Sequence, residues 1–255
     1  MYKNTVYRRM SKPSIKAKLS RIIAGVAGLL VVTAIPLTAS AAGGAGYSLF
    51  GDASLVSPGH NSPTAAQTES SATVSPGYGG IDFGVPNGVT DLSSLNNLGT
   101  DYMFTQGSCG GGSPRFSVAV TTPSGTKNLF VYLGPAPNYT GCPQNTWLST
   151  GNLVSPASTV DASQLGGTFY EPYAAVQAAY GSYPITDISL VTDGYWFAGT
   201  QTVQFDNVAL NSNTVTFESK DSCKKDGWQQ FTGNPGPFKN QGDCVSYFAT
   251  GGKNQ

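Results

Sequence analysis

Short apolar runs separated by turn-forming residues are the feature of this sequence that most restricts its fold. From residue 44 to about residue 218, stretches rich in β-branched and aromatic residues alternate with clusters of Gly, Pro, Asn and Ser. This pattern is typical of an all-β protein in which two antiparallel sheets form a sandwich of the jelly-roll type. It predicts strands at residues 47–50, 80–83, 101–105, 116–121, 128–133, 185–192, 202–209 and 214–218.

One short helix is predicted, over residues 171–180, because Pro172 suits a first helical turn and the alanines after it favour helix. A region of about 175 residues is large enough to bury roughly 70% of its unfolded surface in one core, so a single domain over residues 43–218 suffices. The composition then changes to lysine, glycine and glutamine, which predicts a small, disulfide-stapled C-terminal element at residues 219–255.

The N-terminus has the pattern of a secretory signal peptide, predicted over residues 1–42. Seven of the fourteen basic residues and none of the fourteen acidic ones lie in the first 21 residues, and an apolar run, 22–37, follows. Small residues at 39–41 place cleavage after Ala41 or Ala42. A retained membrane anchor is the alternative, although the apolar run is shorter than the ~20 residues that a spanning helix needs.

Removal of this segment leaves seven basic and fourteen acidic residues, a net charge of −7. A negative surface is unfavourable for binding nucleic acid or an anionic membrane, because both require a basic footprint. We therefore expect a secreted, extracellular protein, either released or held at the cell surface, whose partner is a glycan or a cell-wall component. The sequence leaves the oligomeric state open.

All four cysteines, at positions 109, 142, 223 and 244, lie in the mature part of the chain. An even number in an oxidising compartment predicts two disulfides. Three pairings are possible, and the grouping along the sequence favours Cys109 with Cys142 and Cys223 with Cys244. Zinc binding is the weaker alternative, because the sequence has no Cys-x-x-Cys pair.

Several short segments resemble a known group of secreted modules. Residues 48–53, 188–194 and 202–208 resemble bacterial jelly-roll modules of the carbohydrate-binding type, with a galactose-binding-like or concanavalin-like sandwich. Residues 223–228 and 238–246 look like a short C-terminal element found on assorted secreted bacterial proteins. The resemblance implies a β-sandwich that binds a glycan.

The resemblance also implies a structural calcium ion. In such modules the first and last strands lie side by side, and an acidic residue near each shares the ion. Asp52 and Asp206 match those positions, with backbone carbonyls or Glu218 completing the oxygen ligands that calcium requires. The alternative is that Asp206 ends a strand and bonds to local backbone.

Two loops have the aromatic content of a sugar-binding surface. Tyr139 and Trp147 lie in one, at residues 134–147, and Tyr195 and Trp196 lie in the other, at residues 193–200. The alternative is that Trp147 covers the Cys109–Cys142 bridge and Trp196 fills the core.

Arg115 follows the glycine-rich turn at residues 107–113, which we interpret as disulfide-anchored rather than as a phosphate loop. Its guanidinium can bind a uronic acid, or it can form a structural salt bridge. In the C-terminal element, aromatic residues among lysines indicate either a docking patch or a miniature core.

The sequence gives little support to catalysis. Its one histidine, His60, lies in a turn, and it has no Gly-x-Ser-x-Gly motif. Asp187 and Asp193 are the nearest candidates for a carboxylate pair. The residues thus favour a secreted, non-catalytic carbohydrate-binding module, with a glycan-cleaving enzyme that uses aspartates and a structural or adhesive surface protein as alternatives.

Overall fold

The computed structural model describes residues 46–73, 75–233 and 235–250, so the predicted signal segment lies outside the described residues. Most of the described chain forms two antiparallel sheets. Sheet one contains, in spatial order, β1 (Ser48–Gly51), β4 (Gly79–Asp82), β11 (Ile185–Thr192), β6 (Arg115–Thr122) and β7 (Gly125–Tyr132). Sheet two contains β2 (Ala53–Val56), β3 (Ala65–Ser70), β12 (Gln201–Leu210), β5 (Leu98–Gln106) and β8 (Leu148–Ser149), and β13 (Asn213–Val215) also pairs with β12.

The chain passes repeatedly from one sheet to the other, as in a jelly roll, and the predicted all-β class is confirmed. The central strand of sheet two, β12, shows the alternation of inward and outward side chains that is typical of such a sheet. Val203 and Phe205 are fully buried against the other sheet, whereas Gln204 between them lies on the outer face. After Asp206 the pairing with β5 shifts register, and Val208 returns to the core. Asn207, with φ 49°, accommodates this shift.

The core lies between the sheets and includes large side chains from both, such as Phe104 and Phe205 of sheet two and Phe116 and Leu129 of sheet one. Burial of each such side chain stabilises the fold by roughly 1.5–3 kcal/mol before the entropy cost of ordering it. The sandwich is therefore a rigid support for the loops at its edges.

The predicted helix is present as α1 (Tyr173–Tyr180), which begins directly after Pro172. Tyr173 is fully buried and its hydroxyl donates hydrogen bonds to the carbonyl oxygens of Leu92 and Leu95, at 2.8 and 3.0 Å. The structure adds two helices that the sequence did not indicate, α2 (Tyr195–Ala198) and α3 (Gln241–Thr250). A short strand pair, β9 (Thr159–Val160) with β10 (Glu171–Pro172), precedes α1, and 3-10 turns lie at Ser163–Leu165, Lys220–Cys223 and Gly227–Gln230.

Both disulfides form with the pairing that the sequence favoured. Cys109 bonds to Cys142 and Cys223 bonds to Cys244, with Cα–Cα distances of 5.3 and 5.8 Å. The second bridge lies in its own small apolar cluster with Phe231 and Phe238. Trp228, Val245, Tyr247 and Phe248 pack against that cluster. The aromatic residues near the C-terminus therefore form a miniature core, as expected for a unit this small.

Among the described residues, no helix has the length and apolar character required to cross a bilayer.

Candidate functional site

Large aromatic side chains project into solvent at two neighbouring places on the surface. Trp196 and Phe197 of α2 are 70% and 67% exposed, and Phe169 and Tyr170, just before β10, are 61% and 49% exposed. Tyr132, at the end of β7, lies between the two pairs and is half-buried. We call these five residues the aromatic strip. Exposed apolar groups in such a concentration mark an interaction surface more often than chance.

Ring contacts connect the members within each half of the aromatic strip. The rings of Trp196 and Phe197 lie 5.9 Å apart between centroids. Tyr170 contacts Tyr132 at 6.5 Å and Phe169 at 6.4 Å. Tyr139 stacks on Tyr170 at 5.8 Å with an interplanar angle of 12°, and its hydroxyl bonds to the Thr159 side chain at 2.6 Å. Tyr139 thus supports the exposed ring of Tyr170 rather than being exposed itself.

Two glycines, Gly111 and Gly112, lie between the two halves of the aromatic strip. A Cβ atom added at Gly111 would lie 2.9 Å from Cβ of Phe197, and one added at Gly112 would lie 3.0 Å from Cε1 of Tyr132. Both glycines have positive φ, 63° and 76°, a conformation that side chains disfavour. The strip therefore continues across this turn, and only glycine leaves room for both rings.

Arg115 fixes the turn relative to the loop before α2. Its guanidinium donates two hydrogen bonds to the carboxylate of Asp193, at 2.6 and 2.7 Å, and a third to the carbonyl oxygen of Gly112, at 3.1 Å. It also lies 4.8 Å above the ring of Phe130. Such a bidentate, stacked arrangement suits arginine and not lysine. The guanidinium is thus already paired, in the structural role that was one of the two expected for it.

Gln201 makes a second connection beneath the strip. It is fully buried, and its side-chain oxygen accepts hydrogen bonds from the Ser113 hydroxyl, at 2.8 Å, and the Gly194 amide, at 3.2 Å. Its side-chain nitrogen donates to the carbonyl oxygens of Ser108, at 2.8 Å, and Ser113, at 3.2 Å. The Ser113 hydroxyl in turn accepts from the Asp193 amide at 3.0 Å. One side chain therefore links the glycine turn to the loop that carries Trp196 and Phe197.

The structure separates the residues that the sequence grouped as ligand-binding. Trp196 lies in the aromatic strip, and Tyr195 beside it is 38% exposed. Trp147 lies elsewhere, stacked on His60 at 5.0 Å with an interplanar angle of 15°. Sequence reasoning missed Phe169 and Tyr170, which follow a pair of glycines in a turn, and it missed Gln201. The sequence signal that could have identified Phe169 and Tyr170 is a pair of adjacent aromatic residues in a turn.

Asp52 and Asp206, the expected calcium ligands, lie in different surroundings. Asp206 is fully buried, and its carboxylate accepts hydrogen bonds from the Ser62 hydroxyl, at 2.7 Å, and from the amides of His60 and Asn207, both at 2.8 Å. Burial, and secondarily the charge of Glu218, raises the pKa of Asp206.

Asp52 is in the turn between β1 and β2, where it lines a hollow with Gln67 and Glu69. Strand β3 lies between β2 and β12, so the two acidic residues do not face a common site. Within the described ranges, no group of three or more His, Cys, Asp or Glu residues is arranged to hold a metal. Calcium binding stays a prediction.

The aspartates considered for catalysis also have other partners. Asp193 binds Arg115, whereas Asp187 hydrogen-bonds to Asp82 on the neighbouring strand of sheet one. Burial, followed by the hydrogen bond to Asp82 and the negative charge of Asp82, raises the pKa of Asp187 to about 7. The Asp187 carboxyl is therefore partly protonated near neutral pH.

No protein-family model matches this chain, and no curated protein matches it. Among solved structures, it is similar to the xyloglucanase domain of NopAA, a type three effector from Sinorhizobium fredii, in complex with cellobiose. That likeness has 15% identity and a TM-score of 0.32, over 70% of this chain and 100% of that chain. It is also similar to an exo-beta-agarase, with 15% identity and a TM-score of 0.30, over 67% of this chain and 24% of the agarase chain. Likenesses this distant do not assign a function.

The bridging role of Gln201 is tested by Gln201→Met, which keeps the side-chain volume and removes its hydrogen bonds. Buried partners left without hydrogen bonds should lower the free energy of unfolding by about 2–3 kcal/mol. Gln204→Met, on the outer face of the same strand, should cost less than about 1 kcal/mol. Chemical denaturation measures both values. Equal losses in the two variants would contradict the bridging role.

The raised pKa of Asp187 gives the free energy of unfolding a pH dependence. Asp187 has a folded-state pKa of about 7, above the value of ~3.9 for an unfolded aspartate. The folded state therefore binds more protons than the unfolded state between these values, and stability should fall as pH rises from about 4 to 7. Asp187→Asn removes this titration while its amide can still donate to Asp82.

Thermal midpoints across this pH range should therefore fall less in Asp187→Asn than in the unsubstituted protein. Asp221→Asn is the matched control, because Asp221 is exposed and its carboxylate pairs with Lys224 at 2.7 Å. The control should keep the full decline. A decline in Asp187→Asn as steep as in the control would show that the pKa of Asp187 is not raised in the folded state.

Proposed function

We propose that this protein binds a glycan chain outside the cell, without cleaving it, through the aromatic strip. The observation that carries the proposal is the two pairs of exposed rings, Trp196 with Phe197 and Phe169 with Tyr170, which lie on either side of a glycine turn that Gln201 and Arg115 hold in place. Aromatic faces stack on the C–H surfaces of sugar rings, and Tyr and Trp add polar edges that bond to hydroxyls.

Rigidity supports a binding role. Ordering mobile side chains on binding costs about 0.5–1.5 kcal/mol for each flexible group, so a surface fixed in advance binds more tightly. The hydrogen bonds of Gln201 and Arg115, together with the stacking of Tyr139 on Tyr170, fix the loops of the strip before a ligand arrives. The two disulfides fit an oxidising compartment and agree with export.

The charges near the strip favour a neutral glycan. Asp193 is paired with Arg115, and the carboxylate of Asp161 accepts a hydrogen bond of 2.5 Å from the Tyr132 hydroxyl. Because the guanidinium of Arg115 is occupied, it is not free to bind a uronic acid. A neutral polysaccharide matches what remains, which is apolar ring surface with hydroxyl groups at its edges.

Carboxylate spacing favours binding over cleavage. Glycoside hydrolases hold their two carboxyl groups ~5 Å apart or more, so that a sugar carbon or a water fits between them. Asp187 instead forms a side-chain hydrogen bond with Asp82. The carboxylates of Asp161, Asp193 and Glu171, beside the strip, each accept a hydrogen bond from another residue.

Retention on a panel of insoluble neutral polysaccharides tests the proposal. The mature protein should be retained on at least one, and Trp196→Ala and Tyr170→Ala should each weaken binding about tenfold, as expected for loss of a stacking contact worth roughly 1.5 kcal/mol. Tyr78→Ala is the matched control, since Tyr78 is 43% exposed but contacts Phe50 and not the strip. All three variants should keep the melting temperature of the unsubstituted protein.

Other outcomes separate the alternatives. Retention that survives both strip substitutions would place the glycan elsewhere and refute the assignment. Release of reducing sugar would show an enzyme. Self-association that is lost in the strip variants, without retention on any polysaccharide, would show an adhesive surface instead.

A further inference from the structure

A hollow that shares no residue with the aromatic strip lies between the loop at residues 57–64 and the C-terminal element. It is lined by His60, Asn61, Asn207, Thr214 and Gly233. We call it the histidine hollow. Four of its five lining residues have polar side chains, in contrast to the apolar strip.

His60 is held in one orientation from three directions. Its ring nitrogen Nδ1 lies 2.9 Å from Oδ2 of Asp101, its ring stacks on Trp147, and its backbone amide donates to Asp206 at 2.8 Å. The same Asp101 oxygen accepts a hydrogen bond from the Asn207 side chain at 2.9 Å. Because a carboxylate only accepts, Nδ1 carries the proton in the contact with Asp101, and Nε2 is left to bond a ligand. Nε2 has no hydrogen bond to any residue that the structure describes.

The loop that carries His60 is anchored in the sandwich. The buried carboxylate of Asp206 accepts hydrogen bonds from both His60 and Ser62, so one side chain of β12 holds two positions of the loop. Packing is also close at Gly59, where an added Cβ would lie 2.3 Å from the Ser62 hydroxyl oxygen and 2.7 Å from Oδ2 of Asp206. The hollow is therefore preformed rather than shaped by a ligand.

The C-terminal element supplies the remaining wall. The Thr232 amide donates to the carbonyl oxygen of Asn61 at 3.0 Å, and Gly233 approaches the Asn61 side chain. The Thr64 and Ser222 hydroxyls meet at 3.4 Å. The disulfide-stapled element thus completes the hollow.

We propose that the histidine hollow is a second binding site, which takes a neutral polyhydroxylated ligand such as a single sugar ring. Its open groups are Nε2 of His60, the side-chain nitrogen of Asn61, the side-chain oxygen of Asn207 and the Thr214 hydroxyl, all suited to hydroxyl groups. No lysine or arginine lines it. The carboxylate of Asp101 beside it disfavours a phosphate or a carboxylate ligand.

The imidazole provides a direct probe, because the chain contains one histidine. Its nitrogen and proton signals in NMR spectra therefore need no assignment by mutagenesis. Glucose, galactose, mannose and N-acetylglucosamine are each titrated into the mature protein at pH 7.5, with sodium phosphate as the anionic comparison. At least one sugar should shift the Nε2 signal in a saturable manner, and phosphate should not.

Asn61→Gly tests the site while keeping its backbone, since Asn61 has a φ of 59° that glycine adopts readily. Loss of the amide should weaken the sugar-dependent shift at least fivefold. The matched control is Asn145→Gly, another exposed asparagine with positive φ, 54°, that does not line the hollow, and it should leave the shift unchanged.

The Trp196→Ala variant separates this site from the strip and should keep the full His60 response. The inference is overturned if no sugar shifts the Nε2 signal, if Asn61→Gly responds like the unsubstituted protein, or if Trp196→Ala abolishes the response. If the histidine hollow binds no sugar, retention through the aromatic strip is unaffected, so each proposal can be refuted without the other.

Discussion

The buried side chain of Gln201 is the interaction on which the candidate site depends. A glutamine without partners in a sandwich core would be strongly destabilising, since each unsatisfied polar group costs about 1–3 kcal/mol. Here the amide makes four hydrogen bonds, and all of them go to two loops, the glycine turn at residues 108–113 and the start of the segment that carries α2. The need to satisfy one buried amide therefore determines where Trp196 and Phe197 lie relative to Tyr132.

Arg115 connects the same two loops from the outer side of sheet one. Its hydrogen bonds reach Gly112 and Asp193, so the two loops are connected both above and below. A similar arrangement is present at the histidine hollow, where the buried side chain of Asp206 accepts hydrogen bonds from the loop that carries His60. In both places a buried polar side chain of the sandwich fixes a surface loop, and the loop presents groups to solvent.

The sequence predicted those parts of the fold that depend on local pattern. The strand predicted at residues 202–209 is β12, Pro172 marked the start of α1, and the grouping of cysteines indicated the disulfides. Strand β3 escaped prediction because its sequence, Ala-Ala-Gln-Thr-Glu-Ser, lacks β-branched apolar residues and is held by its neighbours β2 and β12.

The site was less predictable, because its contacts join distant parts of the chain. Aromatic content found Trp196, but the stacking of Tyr139 on Tyr170 and of Trp147 on His60 depends on how loops meet in space. Gln201 has the appearance of an ordinary polar strand residue, and only the packing of two loops on it shows otherwise. Asp101 and His60 are 41 residues apart and meet through the register of β5 with β12.

Hydroxyl-radical footprinting of the mature protein, with and without a polysaccharide that retains it, tests the central claim most directly. We expect protection of Trp196, Phe197, Tyr170 and Phe169 together, while Tyr78, which is exposed outside the strip, stays fully reactive. Protection confined to one half of the strip, or equal protection of Tyr78, would contradict a single continuous binding surface.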